Sequence, residues 1–394
     1  MVSKVMLERG TKRSVIREIF EYGRMRKAEI GEENVFDFSL GNPSVPAPAE
    51  VTRELIRLIT ESDPAELHGY TSAPGAPEVR RAIASFIRSE YGFPADAELI
   101  YMTTGAAAAL TTAFHAILSP GEEVAVCAPF FPEYRVFAEQ CGANLITIPS
   151  EPLHFQIDFD ALEQALTPKT HIMLVNSPNN PSGAVLTEDT ILALAAFLKR
   201  KEKEYGHEIY LLSDEPYREL VYDGIIVPYL PHYYDNTLVC YSFSKSLSLP
   251  GERIGYLMVS PQAKDAKNVF AAICGAERSL GYVCAPALFQ YLIPSCLGKT
   301  ADLSVYRKNR DLLFDGLTAC GYSCVPPDGA FYLFVKSPEP DAAAFCERAK
   351  RFELLLVPGD DFGMPGYVRI AYCVKTEQIR RSLPAFRALA ESYR

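Results

Sequence analysis

Tryptophan is absent from this chain of 394 residues, and its ten cysteines are scattered with no CxxC pair. A disulfide framework or a thiolate metal site needs close, repeated cysteine spacing, so neither is expected. Cys320 and Cys324 come nearest to it, across a Gly-Tyr turn, and read as small core residues. A reduced, cytoplasmic setting is expected on the same ground. Long apolar runs are missing too. The richest stretch, Ala106–Leu118, is interrupted by Thr111, Thr112 and His115 well short of a membrane span. Met1–Gly10 has no apolar h-region, so no signal peptide is expected. Positive charge is also in deficit: 39 Lys and Arg face 49 Asp and Glu, a net charge of −10. Nucleic acid and acidic membrane surfaces, which need basic patches, are disfavoured as partners.

What the chain does have is length and aromatic core material, with 22 Tyr and 22 Phe. A chain this long exceeds one ordinary core, and two or three domains are expected. A polar arm with helical spacing over Ser14–Arg26 leads to Phe36–Leu40, which alternates as a short strand and stops at Gly41-Asn42-Pro43. Helices follow from Ala49 and from Pro77, a residue that suits a first helical turn. The Gly/Pro-rich segment between them, His68–Gly75, contains Tyr70. Leu99–Thr104 and the alanine run from Ala106 then form a strand–turn–helix unit around Gly105. From Glu123 to Val259 short apolar strands, at 123–127, 144–148, 171–175, 209–212, 238–241 and 254–259, alternate with helices. That rhythm implies an α/β class with βαβ units and a mostly parallel sheet buried on both faces. Beyond about Gln290 it gives way to helices at Leu303–Cys320, Asp341–Phe352 and Thr376–Ser392, with strands at 323–335, 354–357 and 367–371. The expected division is a large domain over 48–290 and a smaller α+β domain from 1–47 with 291–394.

Ligands of parallel sheets lie at the carboxyl ends of the strands, so the residues following each strand carry the information. Strand 171–175 ends in Asn176-Ser177-Pro178-Asn179-Asn180-Pro181, strand 209–212 in Ser213-Asp214-Glu215-Pro216-Tyr217, and strand 238–241 in Ser242-Phe243-Ser244-Lys245. Singly, these are explained by an Asn-Pro turn, a helix cap and a solvated lysine. On successive strand ends they bring an amide, a carboxylate with a phenol, and an amine to one rim. A deprotonated lysine adds to aldehydes and can hold one as a Schiff base. Ser242, Ser244 and Arg253 add hydroxyls and a forked donor suited to phosphate. The free N–H groups of a helix start at Gly105-Ala106-Ala107 are a second anion site. An aldehyde and a phosphate on one ligand describe pyridoxal 5'-phosphate.

Five motifs then carry a resemblance: Ser-Phe-Ser-Lys-x7-Arg-x-Gly at Ser242–Gly255, Asn-Asn-Pro-Ser-Gly at 179–183, Asp-Glu-Pro-Tyr at 214–217, Gly-Asn-Pro at 41–43, and Val368-Arg369-Ile370 after Pro358-Gly359 and Phe362-Gly363. From about Phe36 onward the chain resembles the class I/II aminotransferases, fold-type I pyridoxal-phosphate enzymes. The resemblance implies a PLP-dependent transferase fold, with a large domain on a mostly parallel seven-stranded sheet and a smaller α+β domain. It implies a homodimer that moves the α-amino group between an L-amino acid and a 2-oxo acid by ping-pong chemistry. Catalytic roles fall to Lys245, which would hold the cofactor's aldehyde and move the proton, to Asp214, which would pair with the pyridine nitrogen, and to Tyr217. Asn180 and Tyr217 would bond the ring's phenolic oxygen, and Phe131 would stack on the ring. Gly105, Ala106, Ala107, Ser242, Ser244, Arg253 and a neighbouring subunit's copy of Tyr70 would hold the phosphate. Arg369, with Gly41 and Asn180, would hold the substrate carboxylate.

Two departures bear on the substrate. The turn Gly105-Ala106-Ala107 leaves the phosphate to backbone donors there, where many relatives add a polar side chain. Bacterial aspartate-preferring relatives place a lysine at the position of Ala107, so recognition of aspartate by that route is not expected. Arg278 or Tyr282 could reach a partner's active site. Aspartate, aromatic amino acids and alanine are all compatible with the motifs as donors. A carbon–sulfur β-lyase on the same fold and a non-catalytic module are the alternatives; Pro216 and Tyr217, where lyases tend to carry Ile-His, favour the transaminase.

Overall fold

The computed structural model of the protein describes residues 2–11, 14–151 and 153–393. Its main sheet has seven strands, in spatial order Ile100–Thr103, Gly255–Val259, Thr237–Ser242, Tyr210–Asp214, Thr170–Asn176, Glu123–Cys127 and Asn144–Ile148. Six point the same way, and Gly255–Val259 alone runs against both neighbours. The apolar runs do not alternate with polar residues because both faces are covered. Ile100, Val239 and Met258 pack on one side with Val79, Ile83 and Leu292 from the helices Pro77–Tyr91 and Ala287–Cys296. Tyr101, Leu238 and Leu257, one step along each strand, face the other side with Leu110, Phe114 and Ile273 from Ala106–Ile117 and Ala266–Leu280.

A second sheet is antiparallel, with the order Val357–Pro358, Tyr367–Ala371, Tyr332–Lys336, Ser323–Cys324. It shares a core around Leu313, Phe331, Leu333, Ile370 and Phe386 with the helices Leu303–Ala319 and Thr376–Glu391.

Two expected strands are shorter than their sequence pattern. Leu354–Val357 divides: Leu354–Leu355 pairs in parallel with Phe36–Asp37, while Val357–Pro358 joins the four-stranded sheet. Phe36–Leu40 forms a strand only at Phe36–Asp37. At Phe38 the backbone changes partner, its N–H donating to the Leu355 carbonyl while its own carbonyl accepts from Ala371 N–H. That transfer lays Ser39–Gly41 beside the strand that carries Arg369.

The loop after Asp214 is fixed by an enclosed ion pair. Arg218 Nε and Nη2 donate to the Glu215 carboxylate at 2.5 and 3.0 Å, and the guanidinium also reaches the Val227 and Pro228 carbonyls. Ser213 Oγ donates to the same carboxylate at 2.7 Å. Removing one partner strands the other charge in the interior, so Glu215→Ala should lower the unfolding free energy by about 3–5 kcal/mol. Chemical denaturation checks this, and an unchanged midpoint would show that the pair does not hold the loop.

Candidate active site

Asp214 is the last residue of its strand and 5% exposed. Its Oδ2 accepts from the Tyr134 hydroxyl at 2.5 Å and, at 3.5 Å, from Asn176 Nδ2, which also donates to the Asp214 carbonyl at 2.9 Å. Oδ1 is enclosed and has no hydrogen-bond partner among the described residues. Burial pushes the carboxyl up to about 7, with the Tyr134 bond pulling the other way and Glu215 adding repulsion. Leaving a buried carboxylate oxygen unpaired costs free energy, so the position favours a donor or a cation.

Lys245 stands in the single helical turn Phe243–Ser246 that follows the strand Thr237–Ser242. Ser242 caps this turn, accepting from Ser244 N–H at 3.2 Å and donating to Ser244 Oγ at 2.8 Å. The amine donates to the Gly41 carbonyl at 2.7 Å and lies 5.5 Å from the centre of the Phe331 ring. Burial pushes it down to about 8; Cys373 opposes that shift, and the cations Arg253 and Arg369 add to it. A lysine so placed yields neutral amine near physiological pH, the form that attacks carbonyls.

Arg369 lies mid-strand in Tyr367–Ala371, 2% exposed. Nη1 donates to Asn180 Oδ1 at 3.0 Å and Nη2 to the Ser39 carbonyl at 2.5 Å, while Nε has no partner. Tyr332 and Phe362 face the guanidinium at 4.7 and 5.0 Å. Among the described residues no carboxylate comes within ion-pair distance of it. Burial lowers its pKa. A buried cation with no carboxylate beside it can accept an anion, and the fork suits a carboxylate.

These groups belong to one network. Asn176 Oδ1 accepts the Asn180 N–H at 2.8 Å, linking Asp214 to the amide that touches Arg369. The Tyr217 and Tyr332 hydroxyls are 2.9 Å apart. A Cβ on Gly41 would collide with the Tyr332 hydroxyl, so only glycine brings that backbone against the phenol. Nearby, Thr103, Gly255 and Ser242 are in register across three adjacent strands. This sets the turn at Gly105 beside the turn at Ser242. Gly105, at φ 92°, opens the helix Ala106–Ile117, and a Cβ there would lie 2.8 Å from Arg253 Nη2. Exposed Arg253 Nη1 donates to the Pro250 carbonyl at 3.0 Å.

Other expected residues stand apart from this network. Tyr70 is 99% exposed, Ala107 is exposed, and Ala106 and Phe131 are half-buried, the Phe131 ring edge-on to Tyr134 at 5.6 Å. Arg278 is exposed on the helix Ala266–Leu280, and Tyr282 is half-buried just beyond it. Sequence reasoning missed Tyr134, Asn176 and Tyr332. Asn176 sits at a strand end and was open to inspection, whereas Tyr134 and Tyr332 reach the site from a helix and from the second sheet.

Residues 33–386 match the sequence model of the family described as aminotransferase class I and II. The chain is 32% identical over 368 residues to an aspartate/prephenate aminotransferase of Thermus thermophilus, covering 88% of this chain and 88% of that protein. An amino transferase of known structure from Eubacterium rectale shares 53% identity at a TM-score of 0.98, over 100% of this chain and 99% of that one. The aspartate aminotransferase from Thermus thermophilus, solved with maleate, shares 28% identity at a TM-score of 0.86, over 99% and 100%. With the family model matched over most of its length and a relative 32% identical over 88% of it, this chain belongs to the class I and II aminotransferases.

Proposed function

We propose that the residues assembled around Lys245 transfer the α-amino group of an L-amino acid to a 2-oxo acid, using pyridoxal 5'-phosphate held at the rim of the seven-stranded sheet. The observation that carries this reading is a pair of incomplete buried charges: the bare Oδ1 of Asp214 and the guanidinium of Arg369 with no carboxylate near it. The cleft fits the cofactor in kind. It offers an amine eased toward neutrality, a buried carboxylate lacking a donor, and an anion-binding turn where Gly105 leaves room beside Arg253. Pyridoxal phosphate, when bound, supplies an aldehyde for the lysine and a protonated ring nitrogen that draws electrons away from the substrate Cα.

Asp214 would hold that ring proton on Oδ1, kept in place by Tyr134 and Asn176. Tyr217 and Asn180 would hold the phenolic oxygen, and Phe131 would lie against the ring. Backbone N–H groups at Gly105, Ala106 and Ala107, with Ser242, Ser244 and Arg253, would hold the phosphate, joined by Tyr70 from a second subunit of a homodimer. The near-complete exposure of Tyr70 suits that last role. Arg369, with Asn180 and the Gly41 backbone, would fix the plane of the substrate carboxylate and so the direction of the Cα–H bond. Lys245 would take the Cα proton and return it. Segments 48–290 and 1–47 with 291–394 would act as two domains that meet at this cleft. Ala107 brings no cation to the helix start, so a distal carboxylate on the substrate would be read by other groups; aspartate, aromatic and alanine-type donors all suit the site.

Burial lowers the Lys245 amine from 10.5 to about 8, so the neutral amine prevails above that pH. Covalent capture of pyridoxal phosphate by cofactor-free protein should therefore quicken with pH, with a midpoint near 8, and Lys245→Ala should bind the cofactor without attaching it or transaminating. Normal attachment in that variant would overturn the assignment. Arg369→Lys loses the fork and should cost about 1.5–3 kcal/mol, roughly 10- to 150-fold in kcat/KM for amino donors; unchanged steady-state kinetics would remove it as the carboxylate anchor. Mixing Tyr70→Ala subunits with Lys245→Ala subunits should restore activity above either parent, because one site per mixed dimer is then intact. Activity no higher than the parents' would place Tyr70 outside the partner's site.

A further inference from the structure

A cavity of about 360 Å³, counting its open mouth, adjoins the turn that carries Lys245. Glu219, Tyr241 and Ser246 line it, with Tyr91, Phe243 and Lys299 around them. The first three side chains form one directed chain of hydrogen bonds. Tyr241 Oη donates to Glu219 Oε1 at 2.8 Å, which leaves its oxygen to accept from Ser246 Oγ at 3.1 Å. Ser246 directly follows Lys245, and its carbonyl is held in turn by Ala301 N–H at 2.8 Å. At the other end, Glu219 follows Tyr217 by two residues, inside a turn closed by Leu220 N–H on the Tyr217 carbonyl at 2.8 Å. The Tyr241 ring cannot drift, since it stacks on Tyr256 at 5.0 Å and meets Phe243 edge-on at 4.9 Å.

The choice of a carboxylic acid at this spot is not explained by packing. Glu219 is half-buried, yet its Oε2 is enclosed and has no hydrogen-bond partner among the described residues. Burial pushes the group up to about 7, opposed by the Tyr241 bond, a Glu219 N–H contact and Arg218, with Glu215 adding repulsion. An apolar side chain would avoid that cost, but it would leave the Tyr241 hydroxyl without its acceptor. What the carboxyl provides is a strong acceptor that sets the direction of the whole chain.

We propose that Glu219 is a positioning residue for Lys245: through Tyr241 and Ser246 it locks the turn that carries the amine to the loop that carries Tyr217, so that nucleophile and phenol keep one spacing. The inference rests on Lys245 being the lysine that holds the cofactor. In this role Glu219 and Tyr241 act through Ser246 rather than on substrate or cofactor.

The test uses holoenzyme carrying Glu219→Ala, Tyr241→Phe or Ser246→Ala, each of which breaks the chain at a different link. In each, kcat should fall about tenfold while KM for the amino donor stays within about twofold, as expected of a misplaced group rather than a lost contact. The pH midpoint of the visible absorbance of the Lys245-bound cofactor should move by about half a unit or more. Glu219→Gln keeps an acceptor for Tyr241 and should return both readouts most of the way. Should Glu219→Ala fail to fold, Ser246→Ala, which removes a single oxygen, gives the same readouts. An unmoved midpoint and unchanged kcat in Tyr241→Phe and Ser246→Ala would overturn the proposal. So would a lowered thermal midpoint with catalysis and absorbance intact, since it would assign the three residues to stability alone. Absence of covalent cofactor at Lys245 in the unmodified protein is a separate failure, and it would remove the underlying reading instead.

Discussion

A guanidinium buried without a carboxylate is expensive, and the surroundings of Arg369 are arranged to keep it in that condition. Its hydrogen bonds go to an amide oxygen and a backbone carbonyl, and its faces to two aromatic rings. None of these neutralises the charge. The Ser39 carbonyl arrives only because the backbone changes partner at Phe38, from the Leu355 strand to the Ala371 strand. The glycine at 41 and the phenol of Tyr332 are fitted to each other by the same crossing. Much of the second sheet can be understood as the mount for one unsatisfied cation.

Across the cleft the main sheet presents the opposite case. Asp214 is held by Tyr134 and Asn176 on one oxygen and left bare on the other, with its carboxyl raised by burial. The Lys245 amine is lowered by the same cause. Burial thus moves an acid up and a base down, bringing both toward neutrality. Both groups lie at carboxyl ends of adjacent strands. The fold supplies their nearness, and the dry interior supplies their poise.

Ion pairs of Asp223 with Arg307 and Arg310 join the two halves at the periphery, whereas around Arg369 and Asp214 the link runs through neutral groups. Asn176 and Asn180 run from Asp214 to Arg369, and Tyr217 with Tyr332 runs from the loop after Asp214 to the second sheet. A carboxylate in these places would satisfy Arg369 and neutralise its charge. Amides and phenols fix geometry without cancelling charge, whereas the turn that carries the lysine is tied through a carboxyl, in the Glu219–Tyr241–Ser246 chain.

The strand–helix rhythm, the α/β class and the family could be read along the chain, because each depends on residues close together in it. Short apolar runs ending in polar turns are local signals, and so is Ser242–Gly255. Only the tertiary structure decided which groups complete them. Tyr134 reaches Asp214 across 80 residues, and Tyr332 reaches Tyr217 across 115. Two-residue strands such as Phe36–Asp37 and Leu354–Leu355 are too short to carry a period, so their pairing, and with it the placement of Ser39 and Gly41 against Arg369, was not legible. The charge states of Asp214 and Lys245 were equally hidden. A pKa set by burial is a property of everything packed around a group, and no stretch of sequence contains it.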